Sequence, residues 1–132
     1  MTAIRIVLDT NILVSALLSP LGHPAKVYKM FLTGNLKLVY SPDILAEYND
    51  VLFRPRLRIP AEEAEKVLEA IREYGERIEA TPSIHSIIDE DDRVFYDTAK
   101  SAGAYLVTGN KKHYPDEAFI LTPVEFLSFP SR

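Results

Sequence analysis

Short apolar runs alternate with amphipathic segments along all 132 residues, which predicts an α/β domain of three layers, α/β/α, around a central, mostly parallel sheet. The length suits one core and not two, so residues 1–132 are expected to form a single domain. Hydrophobic residues at 47% and charged residues at 26% give the balance of a globular chain rather than a disordered or membrane one.

Ile4 to Leu8 is a β-branched and leucine run closed by Asp9-Thr10-Asn11, and the apolar stretch Ile12 to Leu18 follows it, so this part reads as strand, turn, helix. The breaker Ser19-Pro20-Leu21-Gly22-His23-Pro24 separates it from a helix over Ala25 to Thr33, which Gly34-Asn35 terminate. Leu36 to Tyr40 is a second strand. Ser41 as N-cap and Pro42 at the first position open the next helix. Ile44, Leu45, Tyr48, Val51 and Leu52 form its apolar stripe, and Glu47 lies roughly 100° from the stripe's centre, at the edge. Phe53 to Pro60 is a loop that concentrates Arg54, Arg56 and Arg58. The helix Ala61 to Tyr74 buries Ala64, Val67, Leu68, Ile71 and Tyr74 and turns its charges to water. Gly75 to Ala80 has room for a strand, and a turn-rich, acidic loop runs from Thr81 to Glu90. A helix then starts near Asp91-Asp92, shares a face among Phe95, Ala99 and Ala102, and stops at Gly103. Ala104 to Val107 is a strand ending at Thr108-Gly109-Asn110, and the tail adds a strand over Ala118 to Leu121 and a short helix over Pro123 to Leu127.

A net charge of −4 and a pI near 5.4 argue against binding nucleic acid by bulk electrostatics, so any such contact needs a local patch. With no cysteine, thiolate metal sites and cysteine nucleophiles are excluded. The apolar start stops at Asp9, far short of a signal or membrane span, and the expected location is the cytoplasm. His23, His85 and His113 lack zinc spacing and read as surface residues, with His113 near enough to the polar turn to touch phosphate.

In a parallel sheet the functional crevice lies beyond the carboxyl ends of the strands. Asp9 and Thr108-Gly109-Asn110 each follow the last residue of a strand, Asp92 starts the helix leading into the second of these strands, and Glu47 can point to the same crevice. Acids gathered in this way repel unless a cation compensates them, and a hard-oxygen set with few histidines suits Mg²⁺ or Mn²⁺. Each residue taken alone has a plainer use: Asp9, Asn11, Asp91 or Asp92 as a helix cap, Glu47 as a solvated acid, Asn110 as a turn residue.

Val7-Leu8-Asp9-Thr10-Asn11, Pro42-Asp43-Ile44-Leu45-Ala46-Glu47-Tyr48, Asp89-Glu90-Asp91-Asp92-Arg93-Val94-Phe95 and Ala104-Tyr105-Leu106-Val107-Thr108-Gly109-Asn110, in this order and spacing, resemble the successive motifs of PIN domains. The nearest resemblance is to toxin components of toxin–antitoxin systems, relatives of VapC-type ribonucleases. It implies a PIN-like fold and Mg²⁺-dependent cleavage of single-stranded RNA by metal-activated water. It implies a catalytic set of Asp9, Glu47, Asp92 and Asn110, with the first three as metal ligands. Many members carry an aspartate where this chain has Asn110, which supplies a carbonyl oxygen without charge and so weakens the metal's hold. Thr10, Asn11 and Thr108 would orient these ligands from behind, and Lys111 and Lys112 would bind substrate, with Arg54, Arg56 and Arg58 as a weaker patch. The resemblance also implies an antitoxin partner and a homodimer, with the arginine loop or the tail Phe126-Leu127-Ser128-Phe129 at the contact.

Asp97 falls roughly 140° around the helix from Asp92 and reads as solvated. Tyr96, Tyr105 and Tyr114 fit either base stacking or the core. The alternative to the nuclease is a PIN-like RNA-binding or regulatory module with weakened chemistry, marked by Asn110. A phosphatase or nucleotide-binding protein would need a Gly-rich phosphate loop, which the sequence lacks.

Overall fold

Three consecutive residues of the first strand, Ile6, Val7 and Leu8, have no exposed surface at all. Neighbouring residues of a strand point to opposite faces, so both faces of the sheet are covered here and this strand sits at its centre. A computed structural model describes residues 4–83 and 88–129. His85 and the middle of the loop between Thr81 and Glu90 lie outside the described residues.

The described elements run β1 (Ile4–Leu8), α1 (Thr10–Leu18), α2 (His23–Leu32), β2 (Leu36–Tyr40), α3 (Pro42–Leu52), α4 (Ala61–Tyr74), β3 (Glu76–Arg77), α5 (Glu90–Ala102), β4 (Tyr105–Val107), β5 (Ile120–Leu121) and α6 (Pro123–Leu127). The five strands form one sheet in the order β3-β2-β1-β4-β5, and every neighbouring pair is parallel. Helices cover both sides, giving the α/β/α architecture expected from the sequence. α5 lies across β1, β2 and β4, α4 packs on β2 and β3, and α2 packs against α1, β2 and α6.

The strand order has one functional consequence. The chain builds outwards from β1 to β3 on one side, then returns to β1 and builds β4 and β5 on the other, so the direction of winding reverses between β1 and β4. Leu8 pairs with Val107 in register, and the Asp9 backbone N–H donates to the Val107 carbonyl at 3.0 Å. Asp9 and Thr108, 99 positions apart, therefore leave the sheet side by side.

Local chemistry explains most element ends. The Ser41 hydroxyl accepts from the Ile44 N–H at 3.3 Å and caps α3. Thr122 and Glu125 close a capping box on α6, and Gly103 ends α5 at φ +66°, a conformation open to glycine at little steric cost. Gly75 allows a close crossing of α4 and β2: a Cβ there would stand 2.5 Å from the Ile71 carbonyl oxygen and 2.9 Å from that of Leu38.

Several expectations need correction. Tyr74, assigned to the buried stripe of α4, is exposed because the helix ends there, past the last residue that faces the sheet. Asp97, read as solvated, is buried at 6% exposure; it lines a cleft between α5 and the segment Thr81–Ser83, which is tied to the helix by the Thr81 N–H donating to the Ser101 hydroxyl at 2.9 Å. Of the tail residues expected at a dimer contact, Phe126 is fully buried, Phe129 packs edge-on against Tyr105 with ring centres 5.3 Å apart, and Ser128 is exposed.

Candidate active site

Asp9 follows β1 and precedes α1, at the place where an N-cap stands, yet its side chain makes no capping hydrogen bond. Its Oδ2 instead accepts from the Thr108 hydroxyl at 2.7 Å and from the Tyr114 hydroxyl at 3.2 Å. The plainer reading of Asp9 as a helix cap therefore fails. Both donors act on one oxygen of a carboxylate that is 6% exposed, and Oδ1 takes neither bond. Thr108 Oγ1 also accepts from the Asn110 backbone N–H at 3.1 Å, which fixes its proton on Asp9. The residue at 110 is thus tied to Asp9 through Thr108, with its side chain at the half-buried rim.

Asp92 lies in the first turn of α5, where Asp89 holds the N-cap position without a side-chain bond, so neither Asp91 nor Asp92 is the cap. Burial pushes the Asp92 carboxyl above the ordinary value, and the charge on Asp9 pushes it further. His113 opposes this, with Nδ1 3.7 Å from Asp92 Oδ2. Glu47, half-buried on α3, is raised first by burial and then by Asp50, Asp91 and Asp9, while Arg54 lowers it. Asp9 thus acts on both acids, which places Asp9, Glu47 and Asp92 within electrostatic reach of one another.

The remaining predicted residues divide. Thr10 is buried, and its hydroxyl has no hydrogen-bond partner among the described residues. Asn11 is exposed on α1. Lys111 is turned away to Glu125 at 3.1 Å, and Lys112 remains exposed beside the site. Arg54 pairs with Asp50 at 2.8 Å and stands near enough to Glu47 to lower its pKa, so this one arginine of the loop borders the acids.

Two residues were missed. Tyr114 was read as stacking or core, but its hydroxyl holds Asp9, and burial together with the charges of Asp9 and Asp92 drives its pKa far above the ordinary tyrosine value. Tyr48, read only as core, donates to the Leu8 carbonyl at 2.6 Å and anchors the end of β1 from α3. Their hydroxyls reach back 105 and 40 positions to partners that no local pattern reveals.

The donors in this crevice are hard oxygens, the kind a small divalent cation takes. Among the described residues no group of three His, Asp or Glu side chains stands close enough together to hold a metal ion.

An all-parallel sheet whose winding reverses beside a set of acids defines an α/β protein with an acidic centre at its switch point. The chain belongs to the PIN domain family, whose model matches residues 5–112. PIN domains are as a class nucleases and generally use divalent metal ions. The uncharacterized protein MJ1680 of Methanocaldococcus jannaschii is 29% identical over 111 residues, covering 82% of this chain and 72% of that protein. The structure of VapBC2 from Rickettsia felis, bound to a DNA fragment from their promoter, matches with a TM-score of 0.59 at 19% identity. The match covers 90% of this chain and 97% of that one, and the likeness is one of fold. No described helix is long and apolar enough to cross a membrane.

Proposed function

We propose that this PIN domain is an Mg²⁺-dependent endoribonuclease that cuts single-stranded RNA, with Asp9, Glu47 and Asp92 as metal ligands and Asn110 completing the site. The observation that carries the reading is the state of Asp9: a buried carboxylate kept out of its capping role, oriented by two hydroxyls, and repelled by Asp92 and Glu47. Such repulsion destabilises the folded protein unless a cation relieves it. Mg²⁺ keeps several of its waters and is held through one or two carboxylates, so these acids need not all touch it directly. A bound divalent ion would supply charge stabilisation at the scissile phosphate and ease the loss of a proton from the attacking water.

The chain's own contribution is orientation. Thr108 and Tyr114 fix Asp9, Tyr48 fixes the strand end beneath it, and Asn110 presents an uncharged amide oxygen at the rim. Lys112, exposed two residues after Asn110, and Arg54, beside Glu47, offer positive charge near an otherwise acidic crevice, where a phosphate backbone has to approach. A role as the toxin of a toxin–antitoxin pair, neutralised by a small protein, is the biological setting that the VapBC2 fold likeness supports best.

The test is cleavage of mixed-sequence single-stranded RNA with Mg²⁺, with Mn²⁺ and with EDTA, beside an Asp9→Ala, Asp92→Ala double variant. Metal-dependent cutting that the double variant loses by at least about a thousandfold supports the nuclease. Equal inertness of two folded proteins favours the second reading, an RNA-binding or regulatory module, for which the missing charge at Asn110 is the supporting observation.

A further inference from the structure

We propose that Tyr114 is a positioning residue of this centre, one that sets how tightly Asp9 holds a divalent cation. The inference rests on the metal-dependent reading above and adds a residue to it. Tyr114 follows a short 3-10 turn, Lys111–His113, which begins directly after Asn110. The turn folds back through two backbone bonds, His113 N–H to the Asn110 carbonyl at 2.9 Å and Tyr114 N–H to the Lys111 carbonyl at 3.0 Å. It thereby delivers the Tyr114 side chain into the crevice, where the ring is buried and the hydroxyl meets Asp9 Oδ2 at 3.2 Å.

A lone donor to a carboxylate oxygen leaves the group free to swing about its Cβ–Cγ bond. Two donors on one oxygen, Thr108 from β4's end and Tyr114 from the turn, bracket that oxygen and hold the carboxylate plane. Oδ1 is then the oxygen that remains for a cation. Outer partners of this kind fix ligand orientation, and their loss typically weakens metal binding by about 10–100-fold. Asn110 brings no charge to the site, so the orientation of Asp9 cannot be offset by a carboxylate at that position.

Tyr114→Phe keeps the buried ring and removes only the hydroxyl. Mg²⁺ and Mn²⁺ binding to the full chain is measured by calorimetry without RNA, and the metal dependence of RNA cleavage is measured in parallel. Tyr114→Phe is expected to weaken metal binding about tenfold, one of two outer partners being lost. It should raise the metal concentration needed for half-maximal cleavage by the same factor, while the rate at saturating metal changes far less. Tyr96→Phe removes another buried tyrosine hydroxyl, one bonded to Glu117 away from Asp9, and should leave metal affinity unchanged. Thr108→Val should weaken binding as Tyr114→Phe does, Thr108→Ser should restore it, and the Tyr114→Phe, Thr108→Val pair should depart from additivity because both act on one oxygen. If wild type binds metal and Tyr114→Phe binds equally or more tightly, Tyr114 is only a satisfied core tyrosine and the proposal is overturned. If wild type neither binds metal nor cuts RNA, it is the nuclease reading that falls.

Discussion

Asn110 and Asp97 show opposite relations between a side chain and its surroundings. Asn110 sits at the rim with its backbone tied to Thr108, so an aspartate fits there without rearrangement and adds a fourth carboxylate. Asn110→Asp is expected to tighten Mg²⁺ binding by about tenfold, one charge–charge interaction near 1.4 kcal/mol at partial exposure. In the metal-free protein it should lower Tm, because it adds a like charge to an already repelling set. Calorimetry and thermal melts with and without Mg²⁺ check both signs, and a variant that gains neither affinity nor repulsion would place the residue at 110 outside the metal's reach. Asp97 is buried with Oδ1 unpartnered among the described residues. Asp97→Asn keeps the shape without the charge and should stabilise the fold by about 1 kcal/mol in urea titrations, leaving metal binding unchanged. The acids that follow strand ends were legible in the sequence because strand ends predict the crevice. Tyr114 and the burial of Asp97 were not, since each depends on which distant segment covers it.

At the level of elements, the strands with mostly apolar runs, β1, β2 and β4, were legible almost to the residue. The edge strands were legible in place but not in length: the expected spans 75–80 and 118–121 shrink to Glu76–Arg77 and Ile120–Leu121, and β3, with neither residue apolar, lies where Gly75 brings the chain against Leu38. Gly75→Ala forces a Cβ into two backbone carbonyls that cannot move aside like a flexible side chain. The cost should be about 1–3 kcal/mol, the range of overpacking strain, read as a lower urea midpoint with unchanged slope. A neutral outcome would mean that α4 and β2 can part at this crossing. The start of α1 also differs by two residues: a turn over Asp9-Thr10-Asn11 was expected before a helix from Ile12, whereas the helix begins at Thr10, with Asp9 in the N-cap position but making no side-chain cap.

At the scale of the whole molecule, two groups of acids pull stability in opposite directions with pH. Glu47 and Asp92 are raised above their ordinary values of 4.5 and 3.8, so the folded state binds protons more readily than the unfolded chain. Their repulsive cost is fully present at neutral pH and is relieved as pH falls through their raised values. Glu76 is lowered by its hydrogen bonds and ion pair with Arg5, and Glu125 by the Thr122 backbone and Lys111; these contributions are present above the unfolded value and vanish as pH falls through the lowered one. Mg²⁺ should therefore raise Tm clearly at pH 7 and less at an acid pH where Glu47 and Asp92 have taken up protons. Equal shifts at both pH values would place the ion elsewhere. The long reach of the Asp9 contacts has a further meaning for synthesis. Asp9 emerges among the first residues, but the hydroxyls that hold it arrive 99 and 105 positions later. A growing chain that has completed β1 to β3 carries Asp9 without the hydroxyls that orient it, so the setting of this carboxylate is complete only once synthesis has passed Tyr114.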